Sequence, residues 1–118
     1  MILAYSVITM GEYAHYRSKA VCLGPEPTEE MIELLSSEKN VTADTPPVFI
    51  WSTADDMDVS VQNTYLFASA LEEKKVSYEM HIFPSGKHGL GLAQDHPVVC
   101  EWPALCEKWL QSIGVIAG

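Results

Sequence analysis

Three apolar runs recur along this chain with helical or irregular stretches between them, and that alternation most constrains its fold. Residues 2–8 are apolar and carry β-branched side chains, so they read as a strand buried on both faces. Val48-Phe49-Ile50-Trp51 is a second buried strand. Residues 78–83 form the third. There Tyr78, Met80 and Ile82 alternate with Glu79 and His81, the pattern of a strand with one less buried face, as at a sheet edge.

Helical signals fill the intervals. Thr28 is an N-cap candidate, Glu29 and Glu30 suit the positive end of a helix, and Met31, Ile32, Leu34 and Leu35 give one apolar face. That short helix is expected to end near residues 36–38. Residues 62–75 read as an amphipathic helix with Tyr65, Leu66, Ala68, Ser69 and Leu71 on one side. Residues 102–113 read as the last helix, with Pro103 tolerated in its first turn and Leu105, Cys106, Trp109, Leu110 and Ile113 as its core stripe. Residues 9–27, punctuated by Gly11, Gly24, Pro25 and Pro27, read as irregular. His15 falls there and reads as a surface residue. The resulting fold class is α/β, about three parallel strands with flanking helices and right-handed crossovers.

A length of 118 residues bounds the chain to a single domain, 1–118, with room for a real core. A chain that opens on its most buried strand, with no neighbour upstream, is expected to be swapped, oligomeric or cut from something larger. The net charge of −9 argues against nucleic acid and anionic membrane surfaces, both of which need a basic patch. No run approaches the ~18 apolar residues of a membrane span, and the N-terminus lacks a basic segment before its apolar run. Cys22, Cys100 and Cys106 are an odd set without metal-type spacing. They read as buried small apolar groups in a reducing compartment, which points to a cytoplasmic protein.

Chemistry concentrates after the second and third strands. In open parallel sheets, ligands sit beyond the carboxyl ends of the strands. Asp55 and His88 both fall there, on loops that should be neighbours. A carboxylate that accepts from an imidazole fixes its tautomer and stabilises the imidazolium. The glycines around His88 let its loop turn tightly. On spacing alone, Asp55-Asp56 also reads as a turn signal and His88 as a loop histidine. Asp55, Asp56 and Asp58 lack the alternate acids, glycine and closing Glu of a calcium loop. His81, His88 and His96 have no zinc spacing. Trp51, Trp102 and Trp109 could stack on a sugar ring, although a strand and a helix core stripe favour core packing for two of them.

A wider resemblance joins these pieces. Its residues are Thr45-Pro46-Pro47-Val48-Phe49-Ile50-Trp51 with Thr53-Ala54-Asp55-Asp56, and Val59-Ser60-Val61 with Asn63. It continues in Tyr78-Glu79-Met80-His81-Ile82-Phe83-Pro84 with Gly86, in His88-Gly89-Leu90-Gly91-Leu92, and in Trp109-Leu110. Upstream it includes Leu3-Ala4-Tyr5-Ser6-Val7-Ile8 and Gly11-Glu12-Tyr13. Together they resemble the C-terminal part of α/β-hydrolase fold esterases of the acetyl-esterase and acetylxylan-esterase-like group. The resemblance implies hydrolysis of a small ester or an acetylated carbohydrate, with no cofactor and no metal. It implies Asp55 as the relay acid and His88 as the general base. Asp56 is the alternative acid, since loop length around such a pair varies. Ser60, where the family often has proline, and Tyr5-Ser6, where it commonly has Tyr-Pro, are departures that affect turns more than chemistry.

What is missing matters more. These esterases attack with the serine of G-x-S-x-G and hold the oxyanion with a glycine-rich loop further upstream. None of the serines here has that flanking pattern. Ser52 and Ser85 lie near the strand ends, but neither sits on a strand-to-helix elbow. The expectation is part of a serine ester hydrolase that holds the acid and the histidine, is inactive alone and self-associates. The alternative is a non-catalytic interaction module derived from the same fold.

Overall fold

In the computed structural model, which describes residues 1–118, Ile2–Ala4 (β1), Val48–Thr53 (β2) and Tyr78–Phe83 (β3) form one sheet. Both pairings are parallel and the order is β1-β2-β3. β2 is the centre and every residue in it is buried. Successive side chains of a strand point to opposite faces, so β2 serves two cores at once. Val48 and Ile50 join Ile8, Val41, Phe67, Leu71 and Val76 on one face. Phe49 and Trp51 join Phe83, Ala93, Val99, Cys106 and Trp109 on the other. Each large apolar side chain fully buried this way contributes roughly 1.5–3 kcal/mol.

The helices complete two outer layers. Tyr16–Leu23 (α1), Glu29–Leu35 (α2), Gln62–Glu73 (α3) and Trp102–Ser112 (α4) follow in chain order. Phe67 and Leu71 bring α3 onto the first core, and Cys106 and Trp109 bring α4 onto the second. Pro103 stands at the start of α4, where its missing N–H costs nothing. The Thr28 hydroxyl accepts from the Met31 N–H at 3.2 Å, which makes it the expected cap of α2. No helix is long and apolar enough to cross a membrane.

Three expectations are corrected. β1 is not a long doubly buried strand: it pairs only over Ile2–Ala4, and Ile2 is 47% exposed. Tyr5 has a φ of +40°, a left-handed conformation rare for an aromatic residue, and it turns the chain off the sheet. With β2 on one side only, β1 is an edge, and the most buried strand is β2. Secondly, the stretch expected to be irregular contains α1. Its cap is His15, whose Nδ1 accepts from the Ser18 N–H at 3.3 Å. Only Leu23 of α1 is buried, so it has no apolar stripe to reveal it. Thirdly, of the three cysteines only Cys106 is buried, and Cys22 is exposed. Burial, with the Glu79 carboxylate adding to it, pushes the Cys106 thiol up.

The chain leaving β1 is fastened by one fully buried amide. Asn63 accepts from the N–H groups of Ile8 (2.9 Å) and Thr9 (3.0 Å) and donates to the carbonyls of Tyr13 (2.9 Å) and Ser60 (3.1 Å). Beyond β1, Met1, Leu3, Ile8, Leu34, Leu35, Val41 and Phe67 line an open, mostly apolar groove of about 590 Å³. No residue of α2 is buried, and of its expected apolar face Leu34 and Leu35 line this groove.

Candidate active site

The carboxyl ends of β2 and β3 are stitched together before any functional side chain appears. The Ala54 N–H donates to the Phe83 carbonyl at 2.8 Å. The Thr53 hydroxyl donates to the Gly86 carbonyl at 2.6 Å. A side chain at Gly86 would place its Cβ 2.9 Å from both Thr53 Cγ2 and Leu90 Cδ1, so the close approach of the loops requires glycine there.

The two aspartates then diverge. Asp56 turns inward, and its side chain has no exposure. Its Oδ1 accepts from the N–H groups of Asp58 (2.9 Å) and Val59 (3.0 Å), and its Oδ2 lies 2.8 Å from His88 Nδ1. Asp55 turns outward. Its Oδ2 accepts from the Ser85 hydroxyl at 2.7 Å and its Oδ1 from the Gly86 N–H at 2.8 Å. The partner of His88 is therefore Asp56 and not Asp55, the residue expected there. The cause is local: Asp56 bonds its own backbone two and three residues on, a turn that carries its carboxylate under the histidine. The run Asp56-Met57-Asp58-Val59 ahead of a helix is the sequence signal that could have distinguished them.

Both carboxylates sit below the ordinary aspartate value. For Asp55 the Ser85 hydroxyl is the main cause, followed by the Gly86 N–H. For Asp56 burial is the largest influence and pushes upward, but the Val59 N–H, the His88 ring and the Asp58 N–H together outweigh it. An ionised Asp56 only accepts, so His88 carries its proton on Nδ1 and leaves the Nε2 lone pair free. A carboxylate lowered on folding stabilises the fold fully above its unfolded value, about 3.9. That stabilisation is lost as pH falls through the lower folded value. We expect the thermal midpoint to fall below about pH 4 and Asp56→Asn to flatten that fall. Equal pH slopes in the two proteins, measured by thermal melts, would count against this assignment.

Aromatic rings back the histidine. The Tyr5 ring meets His88 edge-on with centroids 4.8 Å apart and meets Trp51 in the same way at 5.0 Å. The Tyr5 hydroxyl accepts from the Gly91 N–H at 3.2 Å, and Trp102 Nε1 donates to the Gly91 carbonyl at 3.0 Å. Tyr5 is far from His88 in sequence, so no local pattern could reveal this contact. A shallow cavity of about 270 Å³ opens in front, lined by Asp55, Met57, Asp58, Ser85, Gly86, Lys87 and His88. The remaining candidates lie elsewhere. His81 pairs with Glu79 at 2.8 Å, and His96 Nδ1 accepts from Val98 and Val99, so the histidines do not converge. The Ser85 hydroxyl is bound to Asp55, and Ser52 is buried. Trp51 and Trp109 are buried in the core.

An acid and a histidine on the loops after adjacent parallel strands fit a hydrolase, and comparison with known proteins decides the family. The model of the prolyl oligopeptidase family matches residues 5–113. The chain belongs to the prolyl oligopeptidase family. Its three parallel strands with flanking helices have the α/β-hydrolase architecture, as its sequence resemblance implies. It is 50% identical, over 95 residues, to endo-1,4-beta-xylanase B of Butyrivibrio fibrisolvens, a match covering 80% of this chain and 15% of that protein. It superposes with a TM-score of 0.97 and 50% identity on an acetyl ester-xyloside bifunctional hydrolase from Caldicellulosiruptor lactoaceticus, over 98% of this chain and 43% of that one. The carboxylesterase Cest-2923 from Lactobacillus plantarum WCFS1 matches with a TM-score of 0.74 and 28% identity, over 99% of this chain and 45% of that one. This prolyl oligopeptidase family member thus spans less than half the length of these solved relatives, and far less of the xylanase.

Proposed function

We propose that this chain is the C-terminal portion of a serine ester hydrolase and supplies its base and acid, with the nucleophile outside these 118 residues. The observation that carries the reading is the 2.8 Å contact between His88 Nδ1 and the buried Asp56 carboxylate, with Nε2 left open. In such a site Nε2 takes the proton of the attacking serine and later gives it to the leaving alcohol. Asp56 meanwhile holds the ring and stabilises the imidazolium. The substrate class is an acetyl or other short acyl ester on a small molecule or a carbohydrate. The names of the relatives, an acetyl ester-xyloside hydrolase and a carboxylesterase, support it.

Without a nucleophile and an oxyanion site the relay has nothing to activate, so the chain alone is inactive. The test is to join it to the remainder of the Caldicellulosiruptor lactoaceticus hydrolase, in place of the matched 43%. Saturable hydrolysis of p-nitrophenyl acetate that disappears with His88→Ala is expected. A folded hybrid whose turnover is indifferent to His88→Ala would refute the reading. The non-catalytic interaction module is weaker, because it gives no reason for burying a charged Asp56 against an open histidine.

The isolated chain is also expected to self-associate. The outer edge of β1 has no strand beside it, and the apolar groove runs along it. Such edges pair with other chains, here as an extension of the sheet in a second copy. Sedimentation at tens of micromolar, roughly the range where exposed edges associate, should show a dimer or larger species. A stable monomer would contradict this.

A further inference from the structure

The adjacent aspartates divide their work, and the share that falls to Asp55 is unassigned by the reading above, on which this inference rests. Asp55 is exposed, yet both its carboxylate oxygens are engaged by the histidine loop. One oxygen takes the Ser85 hydroxyl and the other the Gly86 N–H. The Thr53 hydroxyl takes the remaining backbone group of Gly86, its carbonyl. The last residues of β2 and its loop therefore hold Gly86 from both sides, two residues before His88. A charged acceptor engaged twice fixes direction as well as distance.

We propose that Asp55 is the positioning residue of the His88 loop, holding residues 85–86 so that the His88 ring reaches Asp56. Asp55 does not touch His88, and it acts through the backbone. The lowered carboxyl of Asp55, caused first by the Ser85 hydroxyl and then by the Gly86 N–H, agrees with these bonds being made to the ionised form.

The test uses the 118-residue chain with its four histidines labelled with ¹⁵N. The reporter is the His88 Nδ1 proton held by Asp56. Asp55→Ala should remove or broaden that signal while the ring signals of His15 and His81 stay in place. Asp55→Asn should restore it, because its amide oxygen can accept from Gly86 and its amide N–H can donate to the Ser85 hydroxyl. An unchanged His88 signal in Asp55→Ala would overturn the inference. If Asp55→Ala unfolds the chain and moves all the histidine signals together, Ser85→Ala decides, since it removes only one of the two contacts. Broadening of His88 alone then supports the inference, and an unaltered His88 overturns it. Asp56→Ala separates the two layers of the account. It must abolish the Nδ1 proton signal, and survival of the signal there would overturn the His88–Asp56 pair itself.

Discussion

Asp56→Ala, in the chain joined to a nucleophile-bearing partner, is expected to lower kcat about 10⁴-fold. The expectation follows from what the carboxylate does and where it sits. Asp56 is buried, ionised and 2.8 Å from His88 Nδ1. Removing it frees the ring to present the wrong nitrogen to the serine and leaves the imidazolium without its counter-charge. Asp55→Ala should cost far less, roughly 10²-fold, the scale of a small misplacement of a reacting group. The ratio between the two variants is the diagnostic quantity. Reversal of their order would return the relay role to Asp55.

Trp51→Ala is expected to destabilise the chain by about 3–5 kcal/mol. A domain of this size has only about 5–15 kcal/mol in total, so the variant should be largely or wholly unfolded near physiological temperature. Trp51 is fully buried at the centre of the sheet, stacked on Trp102 at 5.3 Å and edge-on to Phe83 at 5.8 Å. It also supports Tyr5, whose ring backs His88, so packing and site share one side chain. Trp51→Phe, which keeps most of the apolar volume, should lose much less. Urea denaturation of the two variants measures the difference, and similar midpoints for Trp51→Ala and wild type would contradict the packing account.

Much of this fold is legible in the sequence, for identifiable reasons. Val48-Phe49-Ile50-Trp51 can only be a doubly covered strand, and Leu71, Cys106 and Trp109 lie at helical spacing on the faces that cover it, although the side expected to be apolar in residues 62–75 includes the exposed Tyr65 and Ser69 and leaves out the buried Phe67. His88 stands out because glycines surround it after a strand. The failures are also physical. The run 2–8 looks like one strand, but burial of Ile8 comes from the loop beyond Tyr5 and is not due to pairing. α1 escapes notice because it is capped by a histidine and buries little. The choice between Asp55 and Asp56 depends on which carboxylate bonds its own turn, a distinction one residue wide. The Tyr5–His88 contact depends on tertiary closure alone.

The most direct measurement is p-nitrophenyl acetate hydrolysis by the 118-residue chain, first alone and then joined to the remainder of its Caldicellulosiruptor lactoaceticus relative. The account predicts no saturable turnover by the chain alone, and saturable turnover by the joined protein that His88→Ala removes. Saturable turnover by the chain alone, abolished by His88→Ala, would contradict it.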